Sequence, residues 1–146
     1  IAQKFEADVI LHGGDLYHHN RPSKYTEKKC MELIKQYTFG SKKKLFSIIK
    51  SDRSFNFDDP NLDVAYPIFA IHGNHDDRAG AKRISAIDVL DSAGLVNLIG
   101  CNDNVSSELV IKPIVLQKGA TKLAIYGLGS IRDERLYRQF ERGQVR

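Results

Sequence analysis

Two short stretches, Gly13-Gly14-Asp15-Leu16-Tyr17-His18 and Ile71-His72-Gly73-Asn74-His75-Asp76-Asp77, concentrate carboxylate, amide and imidazole side chains between glycines. Oxygen donors with some imidazole suit hard divalent cations. Two such cations about 3.5–4 Å apart can activate a water and neutralise charge on a phosphoryl group during in-line displacement. The carboxylate of Asp15 has two oxygens and can bridge such a pair. Asn74 can offer its amide oxygen to one cation without adding negative charge. His75, its neighbour, is placed to give a proton or a hydrogen bond to the phosphate, and Asp76 is expected to orient that imidazole. The flanking glycines let the backbone pass close to ions with no Cβ in the way. An apolar run precedes each stretch, residues 7–11 and residues 66–71. That is the layout of ligands carried on loops at the carboxyl ends of buried strands.

The Gly-Asp and Gly-Asn-His-Asp patterns resemble the second and third motifs of the calcineurin-like metallophosphoesterases. Gly14-Asp15-Leu16-Tyr17-His18, Asn20-Arg21-Pro22-Ser23, Ile71 to Asp77, Gly94-Leu95-Val96-Asn97, Leu116-Gln117-Lys118-Gly119 and Tyr126 to Leu136 are similar, in the same order, to the meiotic-recombination-eleven family of double-strand-break repair nucleases, in its eukaryotic branch. Protein phosphatases of the wider family carry Asp-Arg-Gly after the first Gly-Asp. Here that place holds His18-His19-Asn20-Arg21, which argues against that branch.

The resemblance implies an α/β fold, a two-sheet sandwich flanked by helices. It implies a manganese-dependent endonuclease and 3′–5′ exonuclease acting on DNA ends in the nucleus, in homologous recombination and meiosis. In that reading Asp15 and Asn74 bind the two Mn2+ ions, while His75 and His18 are the catalytic histidines, His18 managing the phosphate. The implied partners are a second copy of the chain, a coiled-coil SMC-like ATPase subunit and a nibrin-like regulatory subunit. The family's Asp-x-His and Gly-His-x-His ligands have no counterpart here, so residues 1–146 read as the middle part of a single nuclease domain, inactive by itself. Two rivals stand beside this reading: a non-catalytic dimerisation or scaffold module, and another metallophosphoesterase.

The elements that must position these residues follow from periodicity and turn chemistry. Residues 7–12 read as a buried strand, and Ser23 as the N-cap of a helix reaching about Tyr37, stopped by Gly40 and Ser41. Residues 41–63 read as irregular. A second strand is expected over residues 67–71, and a second helix through Ile84, Ile87 and Leu90, closed by Gly94. Residues 109–116 and 122–126 read as strands, the latter buried, and residues 132–139 as a short helix. The stripe of Met31, Leu33, Ile34 and Tyr37, with Ile84, Ile87 and Leu90, suits either a dimer interface or packing on the chain's own sheet.

Composition bounds the class. The chain is 42% hydrophobic and 27% charged, with net charge +4, ordinary for a globular domain. No apolar run approaches the roughly 18 residues a membrane span needs. Cys30 and Cys101 lack zinc or redox spacing and read as reduced structural thiols. His12 and His72 read as packing and loop-supporting residues, His19 as a surface histidine, and Asp77 as a cap of the turn that follows. Lys42-Lys43-Lys44 and the arginines at 132, 135, 138 and 142 read as solvated faces, with a phosphate-backbone contact as the alternative.

Overall fold

The molecule is described by a computed structural model covering residues 1–78, 82–101 and 108–146. Its strands fall into two sheets of three. In the first, β1 (Ile10–His12), β3 (Ile68–Ala70) and β4 (Asn97–Leu98) run parallel in the order β1-β3-β4. In the second, β2 (Ser47–Lys50), β5 (Pro113–Lys118) and β6 (Thr121–Tyr126) run antiparallel in the order β2-β5-β6.

Side chains alternate across a strand, and β3 uses both faces. Phe69 points into a cluster with Phe55, Phe57, Ile114, Leu116 and Ile125, so the two sheets pack face to face. Ala70 and Ile68 face the other way, toward α1 (Lys24–Thr38) and α2 (Ala86–Ser92). Leu98 and Ile99 repeat the division one strand over. The result is the α/β architecture expected: a helical layer, a parallel sheet and an antiparallel sheet.

Helix boundaries follow the capping chemistry. The Ser23 hydroxyl accepts from the Thr26 amide, and α1 runs to Thr38. Ser85 and Asp88 form a reciprocal capping box at the start of α2, whose last turn closes at Gly94. The expected helix near residue 132 is α3 (Asp133–Glu141).

Three expectations change. The segment taken as irregular contains β2 and a 3-10 turn at Asn56–Asp58. β2 is held by pairing with β5, and its bulge after Ile48 breaks the alternation that would have marked it. The strand expected over 109–116 lies at Pro113–Lys118, while Leu109 bridges Val145 instead. β6 is an edge strand in which Ile125 alone is buried, because the outer side of the antiparallel sheet faces solvent. Among the described residues, no helix is long and apolar enough to cross a membrane.

The apolar helical stripe divides. Met31 and Ile34 pack on the core and Ile87 and Leu90 are fully buried, whereas Leu33, Tyr37 and Ile84 are 42%, 54% and 55% exposed. Packing on the chain's own sheet accounts for the first group and leaves the second facing outward.

Candidate metal centre

Parallel pairing brings the two motifs together. Ile10, Leu11 and His12 lie opposite Ile68, Phe69 and Ala70 in register, so the loops leaving β1 and β3 emerge side by side at the carboxyl ends of neighbouring strands. The backbones then touch. A Cβ on Gly73 would sit 2.1 Å from Asp15 Oδ1 and 2.6 Å from the Asp15 nitrogen, and one on Gly14 would sit 2.6 Å from the Gly73 nitrogen. Gly14 has φ +98°, and Asp15 itself has φ +56°, a left-handed conformation that costs a non-glycine residue on the order of 1 kcal/mol and persists where surroundings enforce it.

The enforcing group is Asp76, which has no exposed surface. Its Oδ1 accepts from the amides of Asp15 (3.2 Å) and Gly73 (2.6 Å), and its Oδ2 from those of Leu16 (2.6 Å) and Tyr17 (3.3 Å). One buried carboxylate therefore ties the first loop to the second. This corrects the expected role of Asp76 as the orienter of His75. The His75 ring is held instead by the backbone of the other loop, with Nδ1 3.1 Å from the His18 carbonyl oxygen. A carbonyl oxygen only accepts, so Nδ1 carries the proton and Nε2 is left for exchange. The His75 amide also donates to Asp15 Oδ1 at 2.9 Å.

His18 and His75 stack, ring centroids 5.0 Å apart and planes 18° from parallel, with His19 edge-on to His18 at 4.6 Å. Asp15, Asn74, His18 and His75 are all exposed. The surrounding histidines serve the scaffold: His12 Nδ1 accepts from the Gly14 amide, and His72 is buried with its ring against Gly129. Burial, then the nearby Arg78 guanidinium, pushes the His72 imidazole below its ordinary pKa, which keeps it neutral. Tyr17, between the loop and the helices, has its phenol pushed above its ordinary range chiefly by burial.

Arg78 closes the second loop against α2. Its guanidinium grips the Asp88 carboxylate, which also accepts from the Ser85 amide and hydroxyl. Burial opposes the charged form of Asp88, but the Arg78 and Ser85 hydrogen bonds outweigh it and hold the carboxyl below its ordinary pKa. The lysine run is partly structural. Lys42 Nζ donates to the Ala7 carbonyl and lies 4.3 Å from the Tyr66 ring centre, and Lys44 Nζ donates to the Phe57 carbonyl.

The donor chemistry fits a hard divalent cation, since Asp15 and Asn74 offer a carboxylate and an amide oxygen on facing loops. The set is partial: among the described residues, no group of three or more His, Cys, Asp or Glu could hold a metal ion. Sequence reasoning missed two features. One is the Asp76 clamp, whose signal was an acidic residue following Gly-Asn-His. The other is a cavity of about 510 Å³ beside His72, where arginines from separate segments meet.

The match to known proteins extends along the chain. The calcineurin-like phosphoesterase model covers residues 1–144. The chain is 47% identical to the double-strand break repair protein MRE11 of Homo sapiens, across 99% of this chain and 22% of that one. The corresponding protein of Mus musculus is 48% identical with the same coverage. That of Oryza sativa subsp. indica is 42% identical, across 97% of this chain and 22% of that one. The chain thus spans about a fifth of the length of the curated relatives it matches. A family match running from the first strand through α3, over loops that tie Asp15 to the His75 amide and stack His18 on His75, places this chain among the calcineurin-like phosphoesterases.

Proposed function

We propose that this chain forms part of a manganese-dependent DNA nuclease, an endonuclease and 3′–5′ exonuclease that trims broken ends in the nucleus during recombinational repair and meiosis. The observation that carries the proposal is the meeting of Asp15, His18 and His75 on two loops clamped by Asp76, the second of which also carries exposed Asn74. The relatives' names, as double-strand break repair proteins, supply the DNA. Asp15 and Asn74 would hold the cations, which when bound supply charge neutralisation at the phosphate and an acidified water. His75, its Nδ1 fixed on the His18 carbonyl, exchanges a proton through Nε2 at the leaving oxygen. His18, stacked on that ring, positions the phosphate. The test is His75→Asn in the complete protein, assayed for manganese-dependent cleavage of a DNA hairpin and a recessed 3′ end. The expected loss is at least about 100-fold, the scale of a lost general acid, with an unchanged melting temperature. Cleavage within threefold of wild type would sink the assignment.

A second reading is favoured by the outward Leu33 and Tyr37 on α1, a dimerisation surface, and by the partial donor set. In that reading residues 1–146 act as a middle, scaffolding part of the nuclease domain, self-associating and presenting it to a coiled-coil SMC-like ATPase and a nibrin-like subunit. Millimolar Mn2+ then leaves the melting temperature of residues 1–146 unchanged. A tight site would raise it, because a ligand bound only by the folded state adds RT ln(1 + [L]/Kd) to its stability.

A further inference from the structure

The cavity beside His72 lies outside the set of residues assigned to the metal centre. Its wall takes Arg78 and Arg83 from the segment before α2, Arg132 from the N-cap of α3, and Arg135 and Arg138 from α3 itself. Asp77 and Glu134 are the carboxylates among the described residues of the wall, where the five arginines outnumber them, and like charges gathered around one space favour an anionic occupant. Arg78 is committed to Asp88. Arg132, at the N-cap of α3, and Arg138, within it, are exposed. They stand six residues apart, about 9 Å along a helix axis, a separation that their long side chains span around an anion larger than one phosphate.

An independent observation points the same way. His72 lines this cavity with 6% of its surface exposed, and among the described residues neither ring nitrogen has a hydrogen-bond partner. A buried polar group without a partner is costly unless something satisfies it. Among the described residues lining the cavity there is no Phe, Tyr or Trp, hence no platform on which a nucleobase could stack. The guanidinium fork matches phosphate oxygens in pairs, and α3 begins at the cavity, adding its amino-terminal partial charge.

We propose that this cavity binds an oligophosphate, meaning pyrophosphate or the phosphate chain of a nucleotide, independently of the metal centre and of the nuclease reading. The probe is sodium pyrophosphate, titrated calorimetrically into the protein at low ionic strength with EDTA present, so that no bound metal contributes. Saturable binding is expected, weakened at least about tenfold in an Arg132→Gln/Arg138→Gln variant, the scale of about one charge-assisted hydrogen bond. A Lys24→Gln/Lys28→Gln variant, which removes the same charge from exposed α1, should bind like wild type. Both arginines are on the surface, and equal melting temperatures will show the variants fold. The proposal is overturned by any of three results: no binding without Mn2+, equal weakening in the two double variants, or binding of a single-stranded oligonucleotide with none of pyrophosphate.

Discussion

Asp76→Asn isolates the clamp, because it keeps the shape of the side chain and changes only what it offers. The carboxylate receives four backbone amides, two on each oxygen. Asparagine retains one acceptor oxygen and turns an NH2 donor toward the other pair, either Asp15 and Gly73 or Leu16 and Tyr17. Two buried donors then lose their partners and face a third donor. Hydrogen bonds to a charged acceptor contribute about 1.5–3 kcal/mol each, and an unsatisfied buried donor costs about 1–3 kcal/mol. Counting the losses as overlapping rather than additive gives about 3–5 kcal/mol, a large part of the 5–15 kcal/mol typical of a domain. At this chain length each kcal/mol moves the melting temperature by about 3 °C, so a drop on the order of 10–15 °C is expected. Urea denaturation supplies the free energy and calorimetry the temperature. Asp77→Asn is the control, one residue along and only half-buried, where a change within about 0.5 kcal/mol is expected. If Asp76→Asn matched Asp77→Asn, the loops would be held by something other than this carboxylate, and the account of the site's geometry would fail.

Four further outcomes follow from the same contacts. Gly73→Ala should cost about 3 kcal/mol and abolish cleavage by the complete protein, since its Cβ would overlap Asp15 Oδ1; a folded, active variant would contradict the close approach. Asn97→Ala should cost about 3 kcal/mol in urea denaturation, because the fully buried amide bonds the backbone and side chain of Asn56 and the Ile68 carbonyl; a loss below 1 kcal/mol would mean that water replaces it. Asp88 sits below the ordinary carboxylate pKa when folded, so its stabilisation is complete above that ordinary value and disappears as pH falls through the folded one; Asp88→Asn should flatten the acid limb of a stability-versus-pH curve, and an unchanged limb would place the acid sensitivity elsewhere. Tyr37→Glu, at a position 54% exposed on α1, should reduce self-association in sedimentation velocity while leaving the melting temperature within about 2 °C; unchanged association would remove that face from the interface.

What the sequence made legible was local. Ser23 declares the start of α1 because caps depend on residues three apart, whereas the capping box of Ser85 and Asp88 starts α2 only after Ile84, which periodicity alone draws into the helix. The two glycine-flanked motifs declare the family because few other arrangements need those residue types in that order. What stayed hidden depends on partners far along the chain. β2 carries little alternation of its own and exists because β5 pairs with it. Asp76 illustrates the limit most sharply. Beside His75 in sequence, it invites the reading of a carboxylate orienting an imidazole, yet adjacency along the chain says nothing about which way a buried side chain turns. The amides it satisfies belong mostly to residues about sixty positions earlier. Their convergence is set by the register that places His12 opposite Ala70. The same register explains the division between neighbours on one loop: Asn74 and His75 are exposed, while Asp76 spends its charge holding Asp15 in a left-handed conformation. Strain at Asp15 is thus balanced by a carboxylate whose two oxygens are taken up by backbone amides, so the structural weight of Asp76 exceeds what its place between His75 and Asp77 would suggest.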